Sequence, residues 1–263
     1  MQKFFKRLKS KPKVKGIDFI EYEGFRLNFS KDTSIVERFK RDGSYEPEFI
    51  HHLVETLKEQ SSGAFLDIGA NIGMIALSVL KHCPNIMIYA FEPGPHQFEL
   101  LQKTLSDNKL SEKIKAYDIA LKDETGEATF QIHDSEDVSG DGFSDSQRGG
   151  KTYAITVKTE KIDNWWNENG RPEIGTLKID TEGAELWILK GAHEMIMDQQ
   201  PVLYLEINDK NIRNYPYEID DLLRHIKALN YTIDSLDGEA VTSENILSFI
   251  KQNDTFIARP IGK

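Results

Sequence analysis

The sequence has very little cysteine and no long hydrophobic run. Cys83 is the single cysteine in 263 residues, which excludes an intramolecular disulfide framework and fits a reducing compartment. No uncharged apolar stretch is long enough to cross a bilayer. The basic N-terminus lacks an apolar core and a small-residue cleavage site, so we expect no secretory signal. These absences predict a cytoplasmic location.

Positive charge is outnumbered by negative charge, and it is unevenly placed. The chain has 33 Lys and Arg residues against 43 Asp and Glu residues, for a net charge of −10. This argues against nonspecific nucleic-acid binding, because phosphates attract a basic surface. Residues 1–16, however, hold seven Lys or Arg residues and no acid. This tail predicts either a solvated, partly disordered segment or weak contact with an anionic membrane surface.

Apolar strands alternate with amphipathic helices from residue 64 onwards. The strands are expected at 64–68, 86–92, 114–119, 175–180, 201–207, 231–236 and 254–259. The helices are expected at 72–82, 94–107, 160–168, 183–198 and 217–229. This alternation indicates βαβ units and an α/β fold with a mostly parallel, doubly wound sheet. Two segments with a hydrophobic period of two residues, 128–132 and 153–157, interrupt this alternation of strands and helices.

A hairpin and a helix precede this pattern. Residues 17–30 alternate loosely around Glu23-Gly24, which predicts a β-hairpin. A helix is expected from about 44 to 60, with Ser44 as its cap and Pro47 in its first turn. No linker divides the rest of the chain. We therefore predict a basic tail and small hairpin extension over 1–43 and one α/β domain over 44–263.

The stretch 64–73 indicates a cofactor site. It reads as a buried strand, a glycine turn and a helix capped by Asn71, with the pattern Asp67-x-Gly69-x-x-x-Gly73. A dinucleotide turn would instead have Gly-x-Gly-x-x-Gly. An acid at the strand end repels a pyrophosphate but suits the ammonium of S-adenosylmethionine, whose carboxylate suits the turn amides. The pattern favours S-adenosylmethionine bound by Asp67, Gly69, Ala70, Asn71 and Gly73.

The next two strands also end in acidic residues. Glu92 is placed to accept both ribose hydroxyls of the cofactor, although a dinucleotide enzyme can carry an acid at a similar offset. Asp118 and Ile119 end the third strand, where the adenine would lie. Asp118 is explained equally well as a strand-end carboxylate in solvent.

Three spaced motifs resemble the FkbM-type S-adenosylmethionine-dependent methyltransferases. They are Phe-Leu-Asp-Ile-Gly-Ala-Asn-Ile-Gly at 65–73, Phe-Glu-Pro at 91–93, and Leu-Lys-Ile-Asp-Thr-Glu-Gly-Ala-Glu-Leu at 177–186 followed by Leu-Lys-Gly-Ala at 189–192. The resemblance covers about 64–207. It implies a class I methyltransferase (Rossmann-like) sheet of seven strands in the order 3-2-1-4-5-7-6, with an antiparallel last strand. It also implies O-methylation of sugar or natural-product hydroxyls, with some relatives acting on amide nitrogen.

The third motif supplies candidates for the transfer step. Asp180 would face the sulfonium methyl of the cofactor, and Asp180 or Glu182 would take the acceptor proton or orient the acceptor hydroxyl. Asp180 is otherwise explained by cofactor positioning alone, and Glu185 is expected on an exposed helix face. His133 begins a stretch over 133–150 that has no hydrophobic periodicity. This stretch is either a lid over the site or a loop without a functional role. His133 is a third candidate base, and is otherwise explained as a surface residue at a strand end.

Metal ligands are few. Asp180, Glu206 and Asn208 would form an oxygen-ligand site for Mg²⁺, which would bind substrate oxygens, but no further ligand is identified. The sequence has no Cys/His cluster and no Ser/His/Asp nucleophile pattern. Mg²⁺ is therefore a secondary hypothesis, and the metal-binding residues stay unassigned.

These patterns together predict an S-adenosylmethionine-dependent O-methyltransferase acting on a hydroxyl of a glycan or glycosylated natural product. The acceptor would be a small molecule or a glycan, with no nucleic acid as partner. Three alternatives stay open. They are amide N-methylation of a peptide, a catalytically silent binding protein on the same fold, and a nucleotide-sugar dehydrogenase.

Overall fold

The structure is a computed structural model that describes residues 16–30, 39–41, 43, 45–60, 62–133, 140–144 and 152–262. The named strands are β1 Ile17–Tyr22, β2 Phe25–Ser30, β3 Ala64–Ile68, β4 Ile88–Phe91, β5 Ile114–Tyr117, β6 Ala120–Leu121, β7 Gly126–His133, β8 Thr152–Glu160, β9 Ile174–Ile179, β10 Val202–Glu206, β11 Tyr231–Ser235 and β12 Thr255–Pro260. The named helices are α1 Pro47–Glu59, α2 Met74–His82, α3 Pro95–Asp107, α4 Ile162–Glu168, α5 Glu185–Gly191, α6 His193–Gln199, α7 Asp209–Ile212, α8 Ile219–Ala228 and α9 Ile246–Ile250.

Seven strands form the central sheet in the order β11-β12-β10-β9-β3-β4-β5. The five strands from β10 to β5 in this order pair in parallel, while β12 is antiparallel to both β10 and β11. Read from the β5 edge, this is the order that the resemblance implies, so the predicted topology is confirmed. β3 lies where the order of the chain reverses, and the carboxyl end of such a strand opens on a crevice.

Apolar side chains cover both faces of this sheet, and every residue of β3 is buried as a result. One hydrophobic cluster includes side chains from α4, α5, α6 and α8, and the other joins α1, α2 and α3 to the β1–β2 hairpin. The hairpin turns at Glu23-Gly24 as predicted. It is tied to the domain by a 2.6 Å hydrogen bond between the Tyr22 hydroxyl and Ser78 Oγ. The hairpin therefore shares the core of the α/β domain.

Two local predictions about helices are wrong. Helix α2 begins at Met74 with Gly73 as its N-cap residue, because Asn71 has a left-handed backbone with φ of 51° and continues the turn. The helix predicted over 183–198 is two helices, α5 and α6. The first ends at Gly191, where a Cβ would lie 2.2 Å from the carbonyl oxygen of Lys122.

Two predictions about the N-terminal region fall on residues outside the described ranges. These are the basic tail and the Ser44 cap. Within the described ranges, no helix has both the length and the apolar character needed to cross a membrane.

Candidate functional site

A cavity of about 330 Å³ opens at the carboxyl ends of β3, β4 and β9. The turn after β3 forms its floor, and residues after β4 and β9 form two of its sides. Segment 140–144 contributes to its lining, and Gly142 of this segment pairs with Gln131 of β7 through two backbone hydrogen bonds of 2.7 and 3.1 Å. The predicted crevice beside β3 is thus a partly open cavity with apolar and acidic walls.

The glycine turn is fixed by its neighbours on both sides. Gly69 has φ of 78°, and a Cβ there would lie 1.8 Å from the carbonyl oxygen of Asp180, so only glycine fits. The backbone N–H groups of Gly69 and Ala70 both donate to the carbonyl oxygen of Phe91 at 3.0 Å. The Asn71 N–H donates to Glu92. Gly69, Ala70 and Asn71 line the cavity, but these three amides already have partners within the protein.

Glu92, an acid of the cavity wall, accepts a hydrogen bond at each of its carboxylate oxygens. It is buried, its Oε2 accepts from the Asn71 N–H at 2.9 Å, and its Oε1 accepts from the Gly94 N–H at 2.7 Å. Burial raises the pKa of Glu92 to about 7, even though both N–H groups act to lower it. The carboxylate is therefore fixed in place, and its charge changes near neutral pH.

Asp67 lies beneath the cavity and is not one of its lining residues. Its side chain is completely buried, and its Oδ1 lies 3.2 Å from Lys178 Nζ. The same Nζ lies 3.3 Å from Asp180 Oδ2 and donates to the Gly69 carbonyl oxygen at 3.1 Å. Lys178 and Asp180 both line the cavity. The predicted role of Asp67 toward the cofactor stays a prediction, and Asp67 contacts Lys178, which lines the cavity.

The end of the cavity beyond β9 is acidic. Glu182 lies on the turn after Asp180, and its Oε2 accepts from Asn211 Nδ2 at 2.6 Å. Burial raises the pKa of Glu206 well above its ordinary value, and the charges of Asp180, Glu182 and Asp254 raise it further. Among the described lining residues seven are acidic and one, Lys178, is basic. This wall suits hydroxyl donors and positive charge.

Glu185 is buried, which corrects the prediction that it lies on an exposed helix face. It has no exposed surface, and its Oε1 accepts from the N–H of Gly183 at 3.1 Å and from the N–H and hydroxyl of Thr181 at 3.3 and 3.1 Å. The side chain folds back over the turn at 181–183, whose donors need an acceptor. Glu185 therefore holds the turn that carries Asp180 and Glu182.

This burial predicts a pH-dependent effect of Glu185→Gln on stability. Burial raises the pKa of Glu185 from 4.5 to about 7, so the folded chain binds its proton more tightly than the unfolded chain does. That stabilisation is fully present below about pH 4.5 and is lost as the pH rises through about 7. We expect Glu185→Gln to raise the free energy of unfolding by about 3 kcal/mol at pH 8 and to leave it unchanged at pH 4.5.

Urea unfolding at the two pH values measures this difference. Glu168→Gln, at an exposed position at the end of α4, is the matched control and should change stability at neither pH. An equal effect of Glu185→Gln at pH 4.5 and pH 8 would contradict the assignment.

His133 is buried behind the cavity wall, so its explanation as a surface residue is wrong. Its N–H donates to Asp141 Oδ1 at 2.8 Å, and its Nδ1 lies 3.4 Å from the same oxygen. Asp141 lines the cavity and also accepts from Gln97 Nε2 at 2.6 Å. Among the described contacts, His133 is linked to the cavity through Asp141. Ile119 lines the cavity, whereas Asp118 is exposed and does not.

The predicted Mg²⁺ ligands do not converge. Asn208 Oδ1 accepts from the Lys210 N–H at 3.0 Å and caps α7, while Asn208 Nδ2 donates to Asp254 Oδ2 at 3.0 Å. Among the described residues, no three His, Cys, Asp or Glu side chains are grouped to hold a metal ion. Of the three predicted ligands, Asp180 and Glu206 line the cavity.

Comparison with known proteins gives a family match and several relatives. A family model described as "Methyltransferase FkbM domain" matches residues 67–233. The chain is 26% identical to the 2-O-methyltransferase NoeI of Sinorhizobium fredii, over 62% of this chain and 70% of that protein. It is 26% identical to the methyltransferase sdnD of Sordaria araneosa, over 65% and 75% of the two chains. It is 27% identical to the hexuronic acid methyltransferase AglP of Haloferax volcanii, over 65% and 66%.

Proposed function

Because the chain belongs to the FkbM family of S-adenosylmethionine-dependent methyltransferases, we propose that it methylates a hydroxyl oxygen of a glycan or glycosylated natural product. One observation carries this proposal. Glu92 and Asp180 follow β4 and β9, which are the two neighbours of β3 in the sheet, so both acids flank the glycine turn and line one cavity. This arrangement provides a cofactor side and a reaction side within the same cavity.

The side chains present fit most of the cofactor. Glu92, held by two backbone N–H groups, offers carboxylate oxygens to a ribose diol. Ile119 and Phe91 offer an apolar wall to the adenine. The acidic wall suits the positive sulfonium and ammonium groups. The carboxylate of the cofactor finds no partner in the amides of Gly69, Ala70 and Asn71, since those are taken.

The transfer step needs an oriented hydroxyl and an acceptor for its proton. When bound, S-adenosylmethionine supplies an electrophilic methyl group. Asp180 or Glu182, at the end of β9, orients the hydroxyl of the second substrate and takes its proton as the oxygen attacks. His133 does not line the cavity, and it contacts the lining residue Asp141, so we propose that it acts on this step through Asp141.

Two further considerations support a hydroxylated acceptor. The wall beyond β9 is rich in carboxylates, which accept hydrogen bonds from hydroxyl groups. NoeI and AglP are named as a 2-O-methyltransferase and a hexuronic acid methyltransferase.

We also propose that the catalytic domain spans 44–263 and acts in the cytoplasm, with 1–43 as an extension. β12 lies beyond the family match and completes the sheet.

Calorimetry followed by a labelled-methyl assay tests this function. We expect the pure protein to bind S-adenosylhomocysteine and not NAD, and to move a labelled methyl group from S-adenosylmethionine to hydroxyls of a panel of oligosaccharides and glycosylated metabolites. Binding of NAD alone would overturn the proposal. Label on a peptide amide would assign N-methylation, and cofactor binding with no transfer to any acceptor in the panel would favour a silent binding protein.

Metal removal tests the secondary hypothesis of Mg²⁺ dependence. We expect EDTA to leave methyl transfer unchanged, because the oxygen of Asn208 already caps α7 and only two of the predicted ligands line the cavity. Turnover is measured after dialysis against EDTA and again after adding Mg²⁺. Loss of activity that Mg²⁺ restores would show that the reaction depends on Mg²⁺ and would revive Asp180 and Glu206 as candidate ligands.

A further inference from the structure

Lys178 is a charged residue in the interior of a buried strand. It is 5% exposed, and it projects from β9 to the carboxyl end of the sheet. Its Nζ lies within 3.3 Å of three oxygens from three different places: Asp67 of β3, the Gly69 carbonyl of the cofactor turn, and Asp180 at the reaction side. One ammonium therefore links the two halves of the cavity.

The sheet itself builds this contact. Asp67 and Lys178 are partners in the parallel register of β3 and β9. Burial lowers the pKa of Lys178, but the carboxylates of Asp180 and Asp67 raise it by more, so the net pKa lies above its ordinary value. Lys178 is therefore a cation with one fully buried counter-ion, Asp67, and one counter-ion that reaches the cavity, Asp180.

The groups that Lys178 Nζ contacts are held by other bonds to different degrees. The turn at Gly69 is held independently, by two bonds to the Phe91 carbonyl and by the Asp180 N–H donating to the Ile68 carbonyl at 3.1 Å. The backbone of Asp180 is fixed by the same bond. Its side chain, however, is 38% exposed, and it is held by the Lys178 ammonium at Oδ2 and by a side-chain hydrogen bond with Glu206. Loss of Lys178 would chiefly affect the direction of that carboxylate.

We infer that Lys178 is a positioning residue for methyl transfer, which fixes the Asp180 carboxylate against the cofactor turn, with Asp67 as the buried counter-ion that keeps the lysine in place. This inference rests on the proposed function, because it gives Asp180 its partner in that reaction. Lys178 acts through Asp180, so its effect on turnover should exist only when Asp180 carries a carboxylate.

A double-mutant cycle tests this dependence. The variant is Lys178→Met with Asp67→Asn, so that no buried charge is left unpaired. The pair is introduced into the otherwise unchanged chain and into Asp180→Asn. Lys158→Met is the matched control, because Lys158 is an exposed lysine in strand β8. For each protein we measure kcat, the KM of the acceptor, the Kd of S-adenosylhomocysteine and the urea midpoint.

We expect the pair to lower kcat at least about tenfold when Asp180 is present, because a misdirected catalytic group loses rate without losing binding. The KM of the acceptor should change less than about threefold, since the turn has its own backbone bonds. The S-adenosylhomocysteine Kd is measured separately, because Asp67 is also a predicted cofactor-binding residue. In the Asp180→Asn background the pair should lower kcat no further. The control should match the unchanged protein.

An unchanged kcat, or an equal loss in both backgrounds, would overturn the inference. If the Met/Asn pair does not fold, Lys178→Gln with Asp67→Asn replaces it, since two amides form a hydrogen bond with each other without charge.

The changes in the urea midpoint of the same variants form a second double-mutant cycle, which needs no acceptor. Additive midpoints would show that Lys178 and Asp180 are uncoupled, and would overturn the inference even if the acceptor proposal failed. Non-additive midpoints with no acceptor found would count against the proposed function and support the contact.

Discussion

Replacing Glu92 by alanine is expected to weaken S-adenosylhomocysteine binding about 100-fold. A hydrogen bond to a charged group contributes roughly 1.5–3 kcal/mol, and a carboxylate that accepts from both ribose hydroxyls loses about 3 kcal/mol or more when it is removed. The variant should lose further affinity, because Glu92 also accepts hydrogen bonds from the N–H groups of Asn71 and Gly94, and these bonds would be lost as well. Calorimetric titration of the pure variant measures the change.

Glu92→Gln separates the charge of this side chain from its shape. The pKa of Glu92 is raised to about 7 by burial, and only the ionised carboxylate accepts from both hydroxyls. Cofactor affinity should therefore increase as the pH rises through about 7, by about tenfold between pH 6 and pH 8. In Glu92→Gln the affinity should be weaker and the same at both pH values.

The control for both variants is Glu99→Ala, which changes an exposed acid in the same helix–strand unit. It should bind S-adenosylhomocysteine as the unchanged protein does. Normal affinity of Glu92→Ala would remove the ribose contact from the proposed site. A pH dependence that survives in Glu92→Gln would assign the titration to another acid of the cavity whose pKa is raised by burial, such as Asp141 or Glu206.

The fold was predictable from the sequence because apolar residues recur at different spacings in strands and in helices. The run 64–68 and its successors appear as buried strands, and the order of the sheet follows the implied topology. Helix ends were less predictable. Asn71 is a good cap by residue type, but it lies in the turn because its N–H is needed by Glu92. A contact across 21 residues leaves no local pattern.

The site was predictable where a residue ends a strand. Glu92 and Asp180 line the cavity as strand-end acids should, whereas three important side chains were missed. Lys178 left one signal, a charge within an otherwise apolar buried strand, next to the motif acid. Asp141 lies in a stretch without periodicity, and its position depends on the pairing of Gly142 with Gln131. Glu185 is expected to be exposed because acidic side chains usually are. Its burial depends on hydrogen-bond donors of the turn at 181–183.

Asp180→Asn is expected to lower turnover at least about 100-fold, the lower range for loss of a general base. Asparagine has nearly the same shape and still offers an oxygen to Lys178 Nζ, which lies 3.3 Å from Asp180 Oδ2. It cannot take a proton. The affinity for S-adenosylhomocysteine should therefore change less than about threefold, while kcat falls. Steady-state assays and calorimetry on the same preparation measure the two effects separately.

A comparison of three variants decides which group takes the proton. Glu182→Gln should cost less than Asp180→Asn if Asp180 is the base, because Glu182 is already bound to Asn211 Nδ2 at 2.6 Å. His133→Gln should also cost less, since His133 does not line the cavity and contacts the lining residue Asp141. Normal turnover of Asp180→Asn would contradict its role and transfer it to whichever of the other two variants loses activity. Comparable losses in Asp180→Asn and Glu182→Gln would instead show that one carboxylate orients the hydroxyl while the other takes its proton.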